Sequence, residues 1–197
     1  MKQSFRTKIK RLGACPDAVE WVSDRTFEQA WEQCEIGEWM LWYAHKAKVK
    51  RELIVLAACA CARLSLKYVT KGEKRPLIAI QTAEKWCRGD ASIEEVKYAA
   101  SAAYTSASAT SAVYTSASAT ATASTTASSA SATSAAYAAS AAYAAYAAYA
   151  ASASATASAT ASAATAAYAA KKRMQKNCAN AVRSIISISN FKKAGEK

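Results

Sequence analysis

The stretch SIEEVKYAASAAYTSASAT, Ser92 to Thr110, decides how this chain is read. Ser92-x-x-Glu95 is a capping box, in which the hydroxyl and the carboxylate each satisfy an orphan backbone N–H at a helix start. Glu94 and Glu95 also place negative charge on the first turn, where the helix dipole favours it. Beyond them, Tyr98 to Ala170 carries no charged residue, no Gly and no Pro. These 73 positions hold 37 Ala, 16 Ser, 11 Thr, 8 Tyr and the single Val113. Within the block, residues 151–161 alternate Ala with Ser or Thr, a period of two that suits a strand. Ala's helix propensity, up to about 0.7 kcal/mol per residue over Thr, and the helical flanks outweigh that alternation.

One unbroken helix of this length would reach roughly 110 Å at 1.5 Å per residue. The weakest place is Ser124 to Ser134, where Thr125 and Thr126 are β-branched and Ser128 and Ser129 compete for backbone hydrogen bonds. The sequence therefore predicts two long antiparallel helices, about 92–123 and 135–188, with a turn between them. Small side chains let such helices approach closely, leaving the tyrosines as the only bulky groups in the block.

The Trp, Leu and Ile residues lie before residue 99 or after residue 173, so the flanks must supply the large-residue core. Pro16 suits the first position of a short helix through Trp21 and Val22, with Cys15 at the cap. Thr26-x-x-Gln29 is another capping box, and Phe27, Ala30, Trp31 and Cys34 follow along one helical face. Gly37 reads as the stop of that helix. A third helix carries Trp39, Trp42, Tyr43 and Lys46. Residues 50–69 are apolar on every side from Leu53 to Ala62, which predicts a helix in the middle of a bundle. Gly72 and Pro76 bracket a turn, and Leu77, Ile80, Glu84 and Cys87 ride a helix that Gly89 ends. Met174, Cys178, Val182, Ile185 and Ile186 define a last amphipathic helix, with Asn190 as its end and a frayed basic tail from Phe191.

The fold class is thus all-α: a helical bundle head with two long Ala/Ser/Thr-rich antiparallel helices. The expected organisation is a mobile basic arm over 1–11, the head over 12–91, the hairpin over 92–170, a C-terminal amphipathic helix over 171–191 packing on the head, and a tail over 192–197.

Composition narrows function. The net charge of +12 falls entirely outside the neutral block, so 26 basic and 14 acidic side chains share 124 positions. Such a field attracts anions, whether phosphorylated small molecules, nucleic acid or acidic proteins. Residues 1–11 hold five cations and no apolar run, unlike a secretory signal. The apolar run Leu53–Ala62 falls well short of the roughly 20 residues of a membrane span. Six cysteines then read as reduced, buried thiols of a cytoplasmic protein. Cys59 and Cys61 fall roughly 200° apart on a helix, poor geometry for one metal ion. With His45 the only histidine, neither a metal site nor a Ser–His–Asp or Cys–His set is expected. There is no Gly-rich phosphate loop, and no segment reads as a DNA recognition helix.

Several segments carry a family likeness. Ala14-Cys15 leading to Glu20-Trp21-Val22, Asp24-Arg25-Thr26, Ala30-Trp31-x-x-Cys34 and Glu38-Trp39-Met40-Leu41-Trp42 form one series. Together with Leu56-Ala57-Ala58-Cys59-Ala60-Cys61-Ala62-Arg63-Leu64 and Ile80-x-x-Ala83-Glu84-x-Trp86, they resemble phage and bacterial immunity proteins of the immunity-protein-five-like family. The resemblance covers about residues 12–100 and the C-terminal helix. The Ala-rich, Tyr-punctuated middle is similar in kind, with Ser or Thr where such proteins often carry Asp. The resemblance implies an α-helical, non-catalytic protein made by a phage or bacterium, which binds and neutralises a toxin or a host defence component.

The candidate ligand-binding residues are Tyr168, Lys171, Lys172, Arg173 and Lys176, where the Ala-rich helix passes into the amphipathic one, with Tyr143 and Tyr146 from the block. A cationic turn beside a stacking ring suits a phosphorylated nucleotide. The sequence reading is therefore a non-catalytic binder that sequesters its target, with no cofactor, acting on an anionic nucleotide signal or on a host defence protein. The alternatives are a structural self-association module, for which a homo-oligomer is expected, a binder that neutralises a toxin or effector protein, and salt-sensitive binding of nucleic acid.

Overall fold

Local signals start and stop most of the helices. The computed structural model describes residues 4–69, 71–108 and 161–195. Among these residues the regular elements are all helical and there is no strand. In chain order they are α1 (Phe5–Arg11), α2 (Pro16–Val22), α3 (Phe27–Gln33), α4 (Gly37–Lys46), α5 (Arg51–Ser65) with a 3₁₀ turn over Leu66–Tyr68, α6 (Arg75–Arg88), α7 (Ile93–Ser108), α8 (Ala161–Ile185) and α9 (Ile188–Gly195).

Both expected capping boxes form. The Thr26 N–H donates to Gln29 Oε1 at 2.9 Å and the Gln29 N–H to Thr26 Oγ1 at 3.2 Å. At the start of α7 the Ser92 N–H donates to Glu95 Oε2 at 2.7 Å and the Glu95 N–H to Ser92 Oγ at 3.2 Å. Each box removes unsatisfied donors that an uncapped helix would leave. Pro16 opens α2, and Gly89 closes α6 at φ 85°, the left-handed conformation that glycine adopts without strain.

Helix α5 is the centre of the molecule. It packs on α4, α6 and α8, and Val55, Ala57, Ala58, Cys59 and Ala62 are fully or almost fully buried. On one side Val55, Cys59 and Ala62 meet Ile80 and Ala83 of α6 and Val96 of α7. Further along, α6 and α7 meet through Ala79, Ala99 and Ala103. On the other side a larger core joins α1–α5 to Ala179, Val182 and Ile186, at the C-terminal end of α8. Burying side chains of that size contributes about 1.5–3 kcal/mol each for Val and Ile, so α8 is fastened to the head.

The turn of the predicted hairpin, and most of its two arms, lie outside the described residues. Their described ends pack on the head, α7 on α6 and α8 on α4 and α5.

Four local expectations are corrected. Residues 5–11 form a helix instead of a mobile arm. Ser4 Oγ accepts from the Thr7 N–H, Ile9 is 3% exposed, and the Phe5 ring meets Phe27 and Tyr43 at 5.5 and 5.1 Å. The C-terminal helix stops at Ile185, short of 188. Asn190 instead caps a new helix that begins at Ile188: Ser187 donates through its N–H and its Oγ to Asn190 Oδ1, at 2.8 and 3.0 Å. The frayed tail is consequently α9, whose Phe191 ring packs edge-on against Phe27 and Trp31 at 4.9 and 4.7 Å. Gly37, finally, does not stop α3; it is the first residue of α4, where α8 crosses. A Cβ there would lie 2.9 Å from Cys178 Cβ and 3.1 Å from the Ala179 amide nitrogen.

Candidate anion-binding step on helix α8

The register of α8 follows from its buried residues. Ala179, Val182 and Ile186 are wholly buried against α4, α5 and the N-terminal helices. Carrying that face toward the N-terminus at about 100° per residue brings Tyr168 and Lys172 within about 20° of Ala179. Lys176 lies about 60° from it on one side, with Arg173 about 60° further round on that same side, and Lys171 lies about 80° from it on the other side. Helix α8 therefore runs past the rim of the head, and the same face that is apolar below Cys178 becomes Tyr168 and Lys172 above it, with Lys171 at its edge. Lys172 sits seven residues before Ala179, about 10 Å further along the axis.

Helix geometry thus sets Tyr168 beside Lys171 and Lys172, and Lys176 beside Lys172 and Arg173, with Lys171 and Lys176 on opposite sides of the face. Tyr168 is 70% exposed, and the three lysines are exposed as well. Tyr143 and Tyr146 lie outside the described residues. Among the described residues Lys176 alone of these cations has an ion pair, with Glu35 of the α3–α4 loop at 2.8 Å. The Lys176 hydrogen bond, followed by the charges of Lys176, Lys172 and Arg183, holds the Glu35 carboxyl below the usual carboxylate range.

Two further residues at the site escaped the sequence reading. Arg183 Nη1 donates to the Trp31 carbonyl at 2.9 Å and to the Cys34 carbonyl at 2.8 Å, and its Nη2 donates to Asn180 Oδ1 at 2.9 Å. The last carbonyls of a helix lack internal partners, and a guanidinium at that end both bonds them and complements the dipole. Arg183 thereby pins the end of α3, and with it the loop that carries Glu35, against α8. The spacing of Lys172, Lys176 and Arg183 along one face is visible in sequence. Glu35 is not, because it stands 141 residues from its partner.

Other groups offer less. Among the described residues no three His, Cys, Asp or Glu side chains assemble to hold a metal ion. Cys59 donates to the Ile80 carbonyl on α6 at 3.8 Å, and Cys61 to the Cys178 carbonyl on α8 at 3.5 Å, so they face different helices. Burial pushes the Cys59 thiol up to about 12, with the Glu84 charge adding to it. The hydrogen bond with the Cys178 thiol, then burial, raises Cys61 as well. Both stay protonated near neutrality and are poor nucleophiles. A cavity of about 50 Å³ between α1, α2, α3 and α4 is lined by Phe5, Trp21, Phe27, Trp31, Trp39, Tyr43 and other apolar groups. It has no charged side chain to bind or activate a ligand. No described helix is long and apolar enough to cross a membrane.

Comparison of the chain with protein-family models, with curated proteins and with solved structures finds no match.

Proposed function

We propose that the protein is a non-catalytic binder that sequesters an anionic target at the step on α8, in the manner of the phage counter-defence or immunity proteins that its head resembles. The observation that carries this reading is the change of character along one helical face. Below the rim it is Ala179, Val182 and Ile186; above it Lys171 and Lys172 stand beside the exposed ring of Tyr168. Cations so placed attract phosphate, and the ring supplies a face on which a base can stack. A phosphorylated nucleotide engages both halves of this pairing, its phosphate on the cations and its base on the ring.

Calorimetric titration of cyclic and linear nucleotides at low salt tests it. Binding is expected to weaken roughly tenfold or more in the Lys171→Ala, Lys172→Ala double variant, the loss of about 1.4 kcal/mol or more that charge-assisted bonds supply. The nucleotide is expected back unaltered after release. No heat and no thermal shift across the whole panel would refute the proposal.

A second reading, self-association, has its own observation. Ile78 is 49% exposed on α6 and Tyr98 is 80% exposed on the adjoining α7. Sedimentation of a monomer at high concentration removes it.

A further inference from the structure

We infer that Glu35 is a built-in competitor at the α8 step: its carboxylate occupies Lys176 as an internal counter-anion, so that the site favours ligands bearing two or more phosphates over single ones. The inference rests on the reading of this face as an anion site.

Three features of the geometry lead to it. Glu35 Oε1 bonds Lys176 Nζ at 2.8 Å, and the two side chains are 42% and 59% exposed. An ion pair that open to water is worth little and exchanges readily for a stronger anion. Second, the charges of Lys176, Lys172 and Arg183 all act on this one carboxylate. Third, Arg183 bonds the Trp31 and Cys34 carbonyls and fixes the loop, so displacing Glu35 needs a side-chain rotation and no movement of the backbone.

The consequence is a threshold on ligand charge. A single phosphate at Lys172 finds the next cation along the face, Lys176, already paired with Glu35. Lys176 lies four residues further, about 6 Å along the axis. A chain of phosphates spans that distance, keeps its hold on Lys172 and takes Lys176 from Glu35. The intramolecular pair is then exchanged for an intermolecular one, and the released carboxylate turns to water.

The test uses the full chain with orthophosphate and tripolyphosphate as probes, titrated calorimetrically at low salt into wild type, Glu35→Gln and Glu94→Gln. The last makes the same change of net charge on α7. Glu35→Gln is expected to bind both anions about threefold to fivefold more tightly than Glu94→Gln, the order of one exposed charge pair. The gain should be larger for orthophosphate, narrowing the preference for tripolyphosphate, and it should vanish when Lys176→Met is added. Equal affinities of Glu35→Gln and Glu94→Gln, or a gain that survives Lys176→Met, overturn the inference. The two proposals fail separately. Nucleotides that bind wild type while Glu35→Gln matches Glu94→Gln refute only the competitor. A gain in Glu35→Gln without nucleotide binding by wild type refutes only the nucleotide reading. Absence of binding by every variant refutes both.

Discussion

Replacing Gly37 by alanine measures how closely α8 is seated on the head. Gly37 is helical and does not have a left-handed φ, so an alanine backbone meets no strain there. Helix propensity taken alone favours alanine over glycine, by up to about 1 kcal/mol in a helix interior. Packing opposes it. The new Cβ would stand 2.9 Å from Cys178 Cβ, 3.0 Å from the Cys178 carbonyl carbon and 3.1 Å from the Ala179 nitrogen. Carbon atoms settle at about 3.5–4.0 Å, so α4 and α8 must part by roughly half an ångström to one ångström at this crossing.

No rotamer relieves the clash, because two of the three contacts are backbone and the third is a Cβ. The separation loosens the layer around Ala44 and Ala179, both of which are wholly buried. Overpacking of this kind costs about 1–3 kcal/mol, which outweighs the propensity gain and leaves a net destabilisation of about 1–2 kcal/mol. In urea the unfolding midpoint should fall while the slope of the transition is unchanged. Adding Cys178→Ala should give no rescue, since alanine keeps the offending Cβ. A midpoint at or above that of wild type would refute the close crossing, and with it the register from which the α8 step was derived.

Two other outcomes follow from the same packing. Arg183→Met should destabilise the protein by about 1.5–3 kcal/mol, because two carbonyls at the end of α3 lose a charged donor; Arg183→Lys should recover only part, since an ammonium lacks the planar fork. Thermal or urea unfolding indistinguishable from wild type in Arg183→Met would show that the α3 end is held by other means. Thiol labelling at pH 8, mapped by mass spectrometry, should modify exposed Cys15 first and leave wholly buried Cys59, its thiol pushed up to about 12, until the protein unfolds. Equal rates at the two cysteines would contradict the central place of α5.

What was legible in the sequence was local. A capping box needs only residues i and i+3, so Thr26–Gln29 and Ser92–Glu95 announced α3 and α7 directly. The unbroken apolar run of residues 53–62 announced a central helix, because no solvent-facing stripe was left on it. The misreadings came where one local pattern served two purposes. Five cations among the first eleven residues suggested an arm, and hid the Phe5, Ile9 and Leu12 stripe that packs α1 on the core. Asn190, a residue that also ends helices, stands at the third position of α9 where Glu or Gln would have made the box plain. A glycine after a helical run reads as a stop, yet Gly37 is required by Cys178 and Ala179, residues remote in the chain.

The candidate site divides along the same line. Its cations were visible because they sit together in two turns of one helix, but which of them share a face depends on where α8 buries itself. Ala179, Val182 and Ile186 set that register, and they set it by meeting side chains from the first third of the chain. Once it is set, Lys171 and Lys176 fall on opposite sides of the face, and Arg183 lines up with Lys172 and Lys176. Arg183 then performs the step that sequence could not anticipate: by bonding the end of α3 it brings the Glu35 loop to Lys176. The charge that makes α8 attractive to anions and the carboxylate that tempers it are thus held by one packing arrangement. A change at Gly37 or Arg183, neither of which need touch a ligand, should alter anion affinity through Glu35. Arg183→Met should therefore narrow the preference for tripolyphosphate over orthophosphate, whereas a ratio identical to wild type would separate the packing of α3 from the chemistry of the step.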